Sequence, residues 1–202
     1  MQELQIKEQL KSAIQIYKKT KDKRAGEIVE HLNKILSTSQ ARKTLLQYAT
    51  HIYPQYKDPA HIRLIAKNLE LLEKGEITRL AVFMPPRHGK SMLCSEFFPA
   101  WYLGNNPNEF VIQATYAQEL ADDFGRKVRN QIISPDFNNV FPHVGLRADS
   151  TSVKRFHTMQ GGTYSAVGAG GAITGRGAHL LIIDDPIKGR EDAESEVQRR
   201  NL

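Results

Sequence analysis

An α/β fold, in which helices flank a mainly parallel sheet, is predicted by three observations on this sequence of 202 residues. Continuous apolar runs at 80–84 and 180–183 are typical of strands that are buried on both faces of a parallel sheet. A further strand is predicted at 110–115. Helical periodicity follows the strands at 80–84 and 110–115, over residues 91–103 and 117–133. Such alternation indicates parallel strands joined by crossover helices.

Shorter signals complete this part of the chain. Pro99 is expected to bend the helix over 91–103, and Ser134-Pro135-Asp136 is expected to end the next one. Strand-forming residues on both sides of Gln160-Gly161-Gly162 predict a β-hairpin, over 153–158 and 163–167.

The beginning of the chain is predicted to be helical. Apolar residues recur at steps of three and four over 4–17 and 28–36. Ser37-Thr38-Ser39 is expected to interrupt this pattern and to cap a third helix over 40–52.

The predicted domain boundary follows these helices. Pro54 and Pro59 mark a connector, after which another helix is predicted over 61–74. The expected organisation is therefore a helical N-terminal subdomain, 1–52, and an α/β domain, 53–202.

Charge and composition narrow the class of protein. The net charge is +6, and the first 60 residues contribute +5 of it. A basic helical region suits a polyanion such as DNA, although a solvated helix surface gives the same count. No apolar run approaches the ~20 residues that span a bilayer, and the N-terminus lacks the apolar segment of a signal peptide, so a cytosolic protein is expected. The single cysteine, Cys94, excludes an internal disulfide.

A variant phosphate-binding loop follows the first predicted strand. Gly89-Lys90-Ser91 stands between an apolar strand and a helical sequence, which is the layout of such loops. Met84 occupies the position where the usual spacing has a glycine. Backbone N–H groups and the positive end of the helix dipole are expected to bind the phosphates of ATP here. The predicted nucleotide-binding residues are Pro86, Arg87, His88, Gly89, Lys90, Ser91 and Met92.

The chemistry of the site is predicted from the loop and from two acids that end the run 180–183. Lys90 is expected to contact the β- and γ-phosphates during catalysis. Ser91 and Asp184 are predicted to bind Mg2+ from opposite sides, because strand ends and phosphate loop meet at one edge of the sheet. Asp185 is expected to orient or deprotonate the attacking water. The phosphate loop and the two acids together predict a P-loop NTPase of the RecA/ASCE-like type, acting as an ATPase.

Several arginine and glutamate side chains are further candidates for the site. Arg87 is predicted to be catalytic, as an arginine finger that neutralises charge on the γ-phosphate; the alternative is a surface salt bridge. Glu191 and Glu194 are alternatives to Asp185, since most ATPases of this class use Glu. Candidates for an arginine that reaches a neighbouring subunit's nucleotide are Arg126, Arg129 and Arg176.

Three stretches of the sequence carry a family resemblance: Val82–Ser91, Gln113–Arg129 and Gly175–Pro186. Through them the chain resembles, over about residues 50 to 202, the large subunit of the terminase of tailed bacteriophages, the motor that packages DNA into the procapsid. The resemblance implies ATP and Mg2+ as cofactors. It assigns functional roles to Arg87, Lys90, Ser91, Asp184 and Asp185.

The resemblance also implies partners. These are double-stranded DNA, the portal protein of the procapsid and the small terminase subunit, with a ring-shaped homo-oligomer during packaging in the cytoplasm of the infected bacterial host. Large subunits of the family are longer, with a coupling motif and a C-terminal nuclease domain. Neither is expected within these 202 residues. The chain is therefore expected to be an N-terminal ATPase fragment that does not cut DNA, that can exist as a monomer and that hydrolyses ATP poorly alone.

Two alternative functions remain open from the sequence. A helicase-type ATPase shares the predicted core, but its acidic motif reads Asp-Glu-x-Asp/His, whereas this chain has Asp184-Asp185-Pro186-Ile187. The second alternative is a non-hydrolysing nucleotide- or DNA-binding module that uses the basic N-terminal helices.

Overall fold

Four helices begin the chain in the computed structural model, which describes residues 2–171, 175, 177–189 and 194–196. They are α1 (Gln2–Thr20), α2 (Lys23–Lys43), α3 (Leu45–Ile52) and α4 (Ala60–Glu73). The later elements are a π-helix (Met92–Phe97), α5 (Phe98–Asn105), β1 (Phe110–Thr115), α6 (Gln118–Ile132), α7 (Pro135–Val140), β2 (Leu146–Thr151), β3 (Arg155–Thr158), β4 (Thr163–Gly168) and β5 (Leu180–Ile183). No helix among the described residues is long and apolar enough to cross a membrane.

The second helix is longer than predicted. α2 continues through Ser37-Thr38-Ser39, so the predicted break there is wrong. The Thr38 hydroxyl donates to the carbonyl oxygens of Lys34 and Ile35, both at 3.0 Å, and its hydrogen-bonding need is met inside the helix. The helix ends instead at Thr44, whose extended backbone (φ −132°) separates α2 from α3.

The sheet is mixed, which corrects the prediction of a mainly parallel one. Its strand order is β2-β3-β4-β1-β5. β1 is parallel to β4 and to β5, whereas β3 is antiparallel to β2 and to β4. Short connections cause the antiparallel part, because a parallel crossover needs a dozen or more residues. The predicted hairpin is confirmed as β3 and β4, and its turn contains Gly161 with φ +93°.

The predicted strand at 80–84 does not belong to the sheet. This segment has no regular secondary structure and alternates in burial, with 93% of Phe83 exposed. β5 forms as predicted but is an edge strand, with Leu181 52% and Ile183 58% exposed. An apolar run therefore predicted an extended backbone correctly at 180–183, but it did not predict which strands pair or how deeply they are buried.

The hydrophobic core joins the N-terminal helices to the α/β part. It contains residues from α2 to α4, from the π-helix and α5, and from α6, α7 and the sheet. Trp101 of α5 is 1% exposed, and its indole N–H lies 3.1 Å from the carbonyl oxygens of Ala41 and Arg42 near the end of α2. Carbonyl groups in the last turn of a helix lack helical partners, so this contact satisfies them. The domain boundary between residues 52 and 53 stays a prediction.

Close packing of α6 depends on Gly125. A Cβ atom at this position would lie 2.1 Å from the backbone oxygen of Val153, which cannot move without shifting the chain. We expect Gly125→Ala to lower the free energy of unfolding by about 1–3 kcal/mol, measured by urea unfolding. Gly26→Ala in α2 is the matched control, because its Cβ would meet only the ring of Tyr17 at 3.0 Å. Equal stability of the two variants would contradict this packing.

Candidate nucleotide-binding site

The predicted phosphate loop turns sharply at Gly89. Its φ of +86° lies in the left-handed region, and an added Cβ would lie 3.2 Å from Cδ1 of Ile62, a buried residue of α4. The Leu93 N–H donates to the Gly89 carbonyl oxygen at 3.1 Å, so helical hydrogen bonding starts at once. Backbone angle and close packing therefore both favour glycine at this position.

The first turn of α4 also contacts the loop through histidines. The His88 ring donates from Nδ1 to the carbonyl oxygen of Pro86 at 2.8 Å. Nε2 of His61 lies 3.3 Å from the carbonyl oxygen of His88. These contacts orient the backbone of residues 86–89 while the His88 ring stays within the loop.

An ion cluster forms where the loop meets the end of β5. The Lys90 ammonium lies 3.2 Å from Oδ1 of Asp184 and 3.0 Å from Oδ1 of Asp185. Burial, the largest single effect, lowers the pKa of Lys90, but its hydrogen bonds to Asp185 and Asp184 outweigh burial and raise the pKa above its ordinary value. The side chain that was predicted to contact phosphate thus lies within hydrogen-bonding distance of the two carboxylates predicted to bind metal and to orient water.

Asp184 has a second partner that sequence analysis missed. The Ser95 hydroxyl donates to Oδ2 of Asp184 at 2.8 Å, and the two residues are 0% and 5% exposed. A signal was present, since Ser95 follows Ser91 by four residues and so recurs about one helical turn later. The contact cannot be derived from that spacing alone, because it also depends on the position of β5.

Ser95 lies in a π-helix rather than the predicted α-helix. Pro99 has no N–H with which to bond the Ser95 carbonyl oxygen in an α-helical pattern. The helix is wider in the turn before Pro99. There the Phe98 N–H donates to the carbonyl oxygen of Leu93, five residues earlier. Pro99 was expected to bend the helix; what the structure has here is a change of helix type, from the π-helix to α5.

Two non-glycine residues of the site have left-handed backbone. Arg87 has φ +63° and Asp185 has φ +45°. Such conformations cost about 1–3 kcal/mol each and concentrate at functional sites. The Asp185 carbonyl oxygen accepts a hydrogen bond from the N–H of Tyr116 at 3.2 Å, while 65% of its side chain is exposed. The Arg87 side chain is exposed too, and its guanidinium has no hydrogen bond to any described residue.

The remaining candidates differ in their surroundings. Ser91 is partly buried, and its hydroxyl makes no hydrogen bond with Asp184; Met92 packs against the core. The Arg126 guanidinium pairs with Asp123 at 2.5 Å, and that of Arg129 donates to the Thr151 carbonyl oxygen at 3.1 Å. Glu194 is exposed, whereas Glu191 and Arg176 lie outside the described residues.

Comparison with known proteins supplies the family. The profile of the family "Terminase large subunit, T4likevirus-type, N-terminal" matches residues 82–202. The chain belongs to this family. The match includes the whole loop from Pro86 to Met92 and both acids, and it connects this terminase chain with phage DNA packaging. No curated protein and no solved structure matches the chain significantly.

A cavity of about 780 Å³ adjoins the ion cluster of the terminase chain. Its lining includes Lys90, Cys94, Ser95 and Asp184, together with residues of β5 and Glu109. Its volume is within the range of about 300–1,000 Å³ that is usual for small-molecule sites. The cluster therefore opens into a space that is large enough for a ligand.

The cysteine beside this cavity is expected to be unreactive. Burial, with a further contribution from Asp184, raises the pKa of the Cys94 thiol to about 12. Because the thiolate is the reactive form, we expect iodoacetamide at pH 8 to alkylate the native terminase chain roughly 100- to 1,000-fold more slowly than the chain in urea. Cys94 is the only cysteine, so mass spectrometry reads one site. Equal rates in the two conditions would show that the native thiolate forms easily.

Proposed function

We propose that this chain is the ATPase part of a terminase large subunit, which hydrolyses ATP with Mg2+ to drive double-stranded DNA into a procapsid. The observation that carries the proposal is the contact of Lys90 with Asp184 and Asp185. All three residues lie within the stretch that matches the terminase family. A lysine on a helix-initiating loop beside two acids at a strand end is typical of P-loop NTPases, which catalyse phosphoryl transfer.

The donor atoms suit both ATP and a magnesium ion. Carboxylate and hydroxyl oxygens are the ligands that Mg2+ prefers, and Asp184 and Ser91 supply one of each. Backbone N–H groups near Gly89, at the start of the helix, suit phosphate oxygens. Mg2+, when bound, would offset the negative charge of the β- and γ-phosphates.

Lys90, Asp185 and Arg87 have separate roles in the proposed hydrolysis. Lys90 moves from the two acids to the β- and γ-phosphates. Asp185 orients a water molecule and accepts its proton while the water oxygen bonds to the γ-phosphorus and the bond to the β–γ bridging oxygen breaks. ADP and inorganic phosphate leave. The exposed Arg87 guanidinium neutralises charge on the γ-phosphoryl group as it transfers.

The proposed partners are double-stranded DNA, the portal protein and the small terminase subunit, with the large subunit forming a ring in the cytoplasm of the infected bacterium. Family membership supports this proposal, and so does the concentration of positive charge in the first 60 residues. Basic side chains attract DNA phosphates through a salt-dependent interaction.

The test begins with nucleotide binding, measured by isothermal titration calorimetry with ATP in the presence of Mg2+ or EDTA. We expect binding that weakens in EDTA, and phosphate release that increases when double-stranded DNA is added. Absence of ATP binding at millimolar nucleotide would contradict the proposal. ATP-dependent unwinding of a duplex would instead favour a helicase.

A further inference from the structure

We propose that Ser95 is a positioning residue that orients the Asp184 carboxylate for cation binding, an inference that rests on the proposed ATPase function. Ser95 is fully buried, and its hydroxyl lies 2.8 Å from Oδ2 of Asp184. Its hydroxyl has a single proton to donate, and that proton is directed at this carboxylate. In this proposal Ser95 acts through Asp184.

The two oxygens of Asp184 have separate surroundings. Oδ1 is directed toward the Lys90 ammonium at 3.2 Å, on the side of the ion cluster, whereas Oδ2 contacts the buried Ser95 hydroxyl. A carboxyl group rotates easily about its terminal bond, so packing alone defines its plane weakly. The hydrogen bond to Ser95 removes this freedom and directs Oδ1 toward the site.

Burial makes this contact strong. Asp184 is 5% exposed, so water has little access to compete with the Ser95 donor. A hydrogen bond to an ionised carboxylate is roughly twice as strong as one between neutral groups. Without the hydroxyl, Oδ2 would keep its charge with no described donor, and the carboxylate would be expected to turn toward Lys90.

Ser95 lies in the π-helix ahead of Pro99. The Phe98 N–H bonds to Leu93, five residues earlier, so the turn that contains Ser95 is wider than an α-helical one. Residues that orient a metal ligand from behind typically change metal affinity by about 10- to 100-fold when they are removed. We expect an effect of this size from Ser95.

The experiment measures cation affinity in wild type, Ser95→Ala and Ser95→Thr. Mn2+ binding in the presence of ATP is followed by electron paramagnetic resonance, and ATP affinity in EDTA is measured by calorimetry. Ser165→Ala is the matched control, because Ser165 is 3% exposed on β4 and makes no described hydrogen bond with Asp184. Circular dichroism and thermal unfolding verify that each variant is folded.

We expect Ser95→Ala to weaken Mn2+ binding by about 10- to 100-fold while ATP affinity in EDTA stays unchanged. Ser95→Thr, which retains the hydroxyl, should recover part of the loss, and Ser165→Ala should match wild type. Wild-type Mn2+ affinity in folded Ser95→Ala overturns the positioning role and leaves the proposed function intact. A loss of Mn2+ affinity of the same size in Ser165→Ala also overturns the positioning role, because the effect would then not depend on the contact with Asp184. Absence of ATP binding in the wild type overturns the proposed function and this inference together.

Discussion

Replacement of Lys90 by alanine is expected to abolish ATP binding, with a loss of at least about 100-fold in affinity, or ~2.7 kcal/mol. The variant lacks the ammonium group that would meet the phosphates. It also leaves Asp184, which is almost completely buried, beside Asp185 with no positive charge between them. Negative phosphates would then approach two uncompensated carboxylates. Isothermal titration calorimetry with ATP and Mg2+ measures the loss.

Lys127→Ala is the matched control for this variant. Lys127 also pairs with a carboxylate, that of Glu96 at 2.7 Å, but it lies on α6 with 53% of its side chain exposed. We expect its ATP affinity to equal that of wild type, since exposed ion pairs contribute little. Unchanged nucleotide affinity in folded Lys90→Ala would refute the assignment of residues 86–92 as a phosphate loop.

Asp185→Asn is expected to retain ATP binding and to lower turnover by about 100- to 10,000-fold, which is the usual contribution of a general base. Asparagine has nearly the same shape, and it tolerates the left-handed backbone at φ +45°, so the loop after β5 should be preserved. Only the capacity to accept a proton and the negative charge are lost. Phosphate release at saturating ATP, together with the dissociation constant, separates the two effects.

Asp149→Asn is a suitable control, because Asp149 pairs with Arg147 on β2 at 2.6 Å and is exposed. It should release phosphate at the wild-type rate. If Asp185→Asn also did so, the role of orienting water would pass to Glu191 or Glu194.

Local conformation could be predicted from the sequence where periodicity was strong. The helical periods gave α1, α4 and α6 within a few residues, and β1 at Phe110–Thr115 has the predicted bounds. Pairing could not be predicted in the same way, because it depends on contacts between segments that are far apart in the sequence. Thus 80–84 was expected in the sheet and lies outside it, while β2 received no prediction and is an edge strand.

The candidate site also has residues that could be predicted from the sequence and residues that could not. Lys90, Asp184 and Asp185 could be assigned as one site because each follows an apolar run, and the structure brings their side chains together. Ser95 could not, because its spacing of four residues from Ser91 does not show that it contacts Asp184, which depends on the position of β5. The left-handed backbone of Arg87 and Asp185 also has no sequence signal, since neither residue is glycine.

The contact of Lys90 with both acids has a thermodynamic consequence. One ammonium group cannot contact the carboxylates and the phosphates of a nucleotide equally well, so under the proposed function nucleotide binding would withdraw Lys90 from Asp184 and Asp185. Without nucleotide, the Lys90 ammonium would repel a divalent cation from the two carboxylates. With nucleotide bound, the carboxylate oxygens of Asp184 and Asp185 would be available to the cation. Under the proposed function each ligand would therefore raise the affinity of the other, and by linkage the two factors would be equal. Without nucleotide, the protein would therefore bind divalent cations weakly.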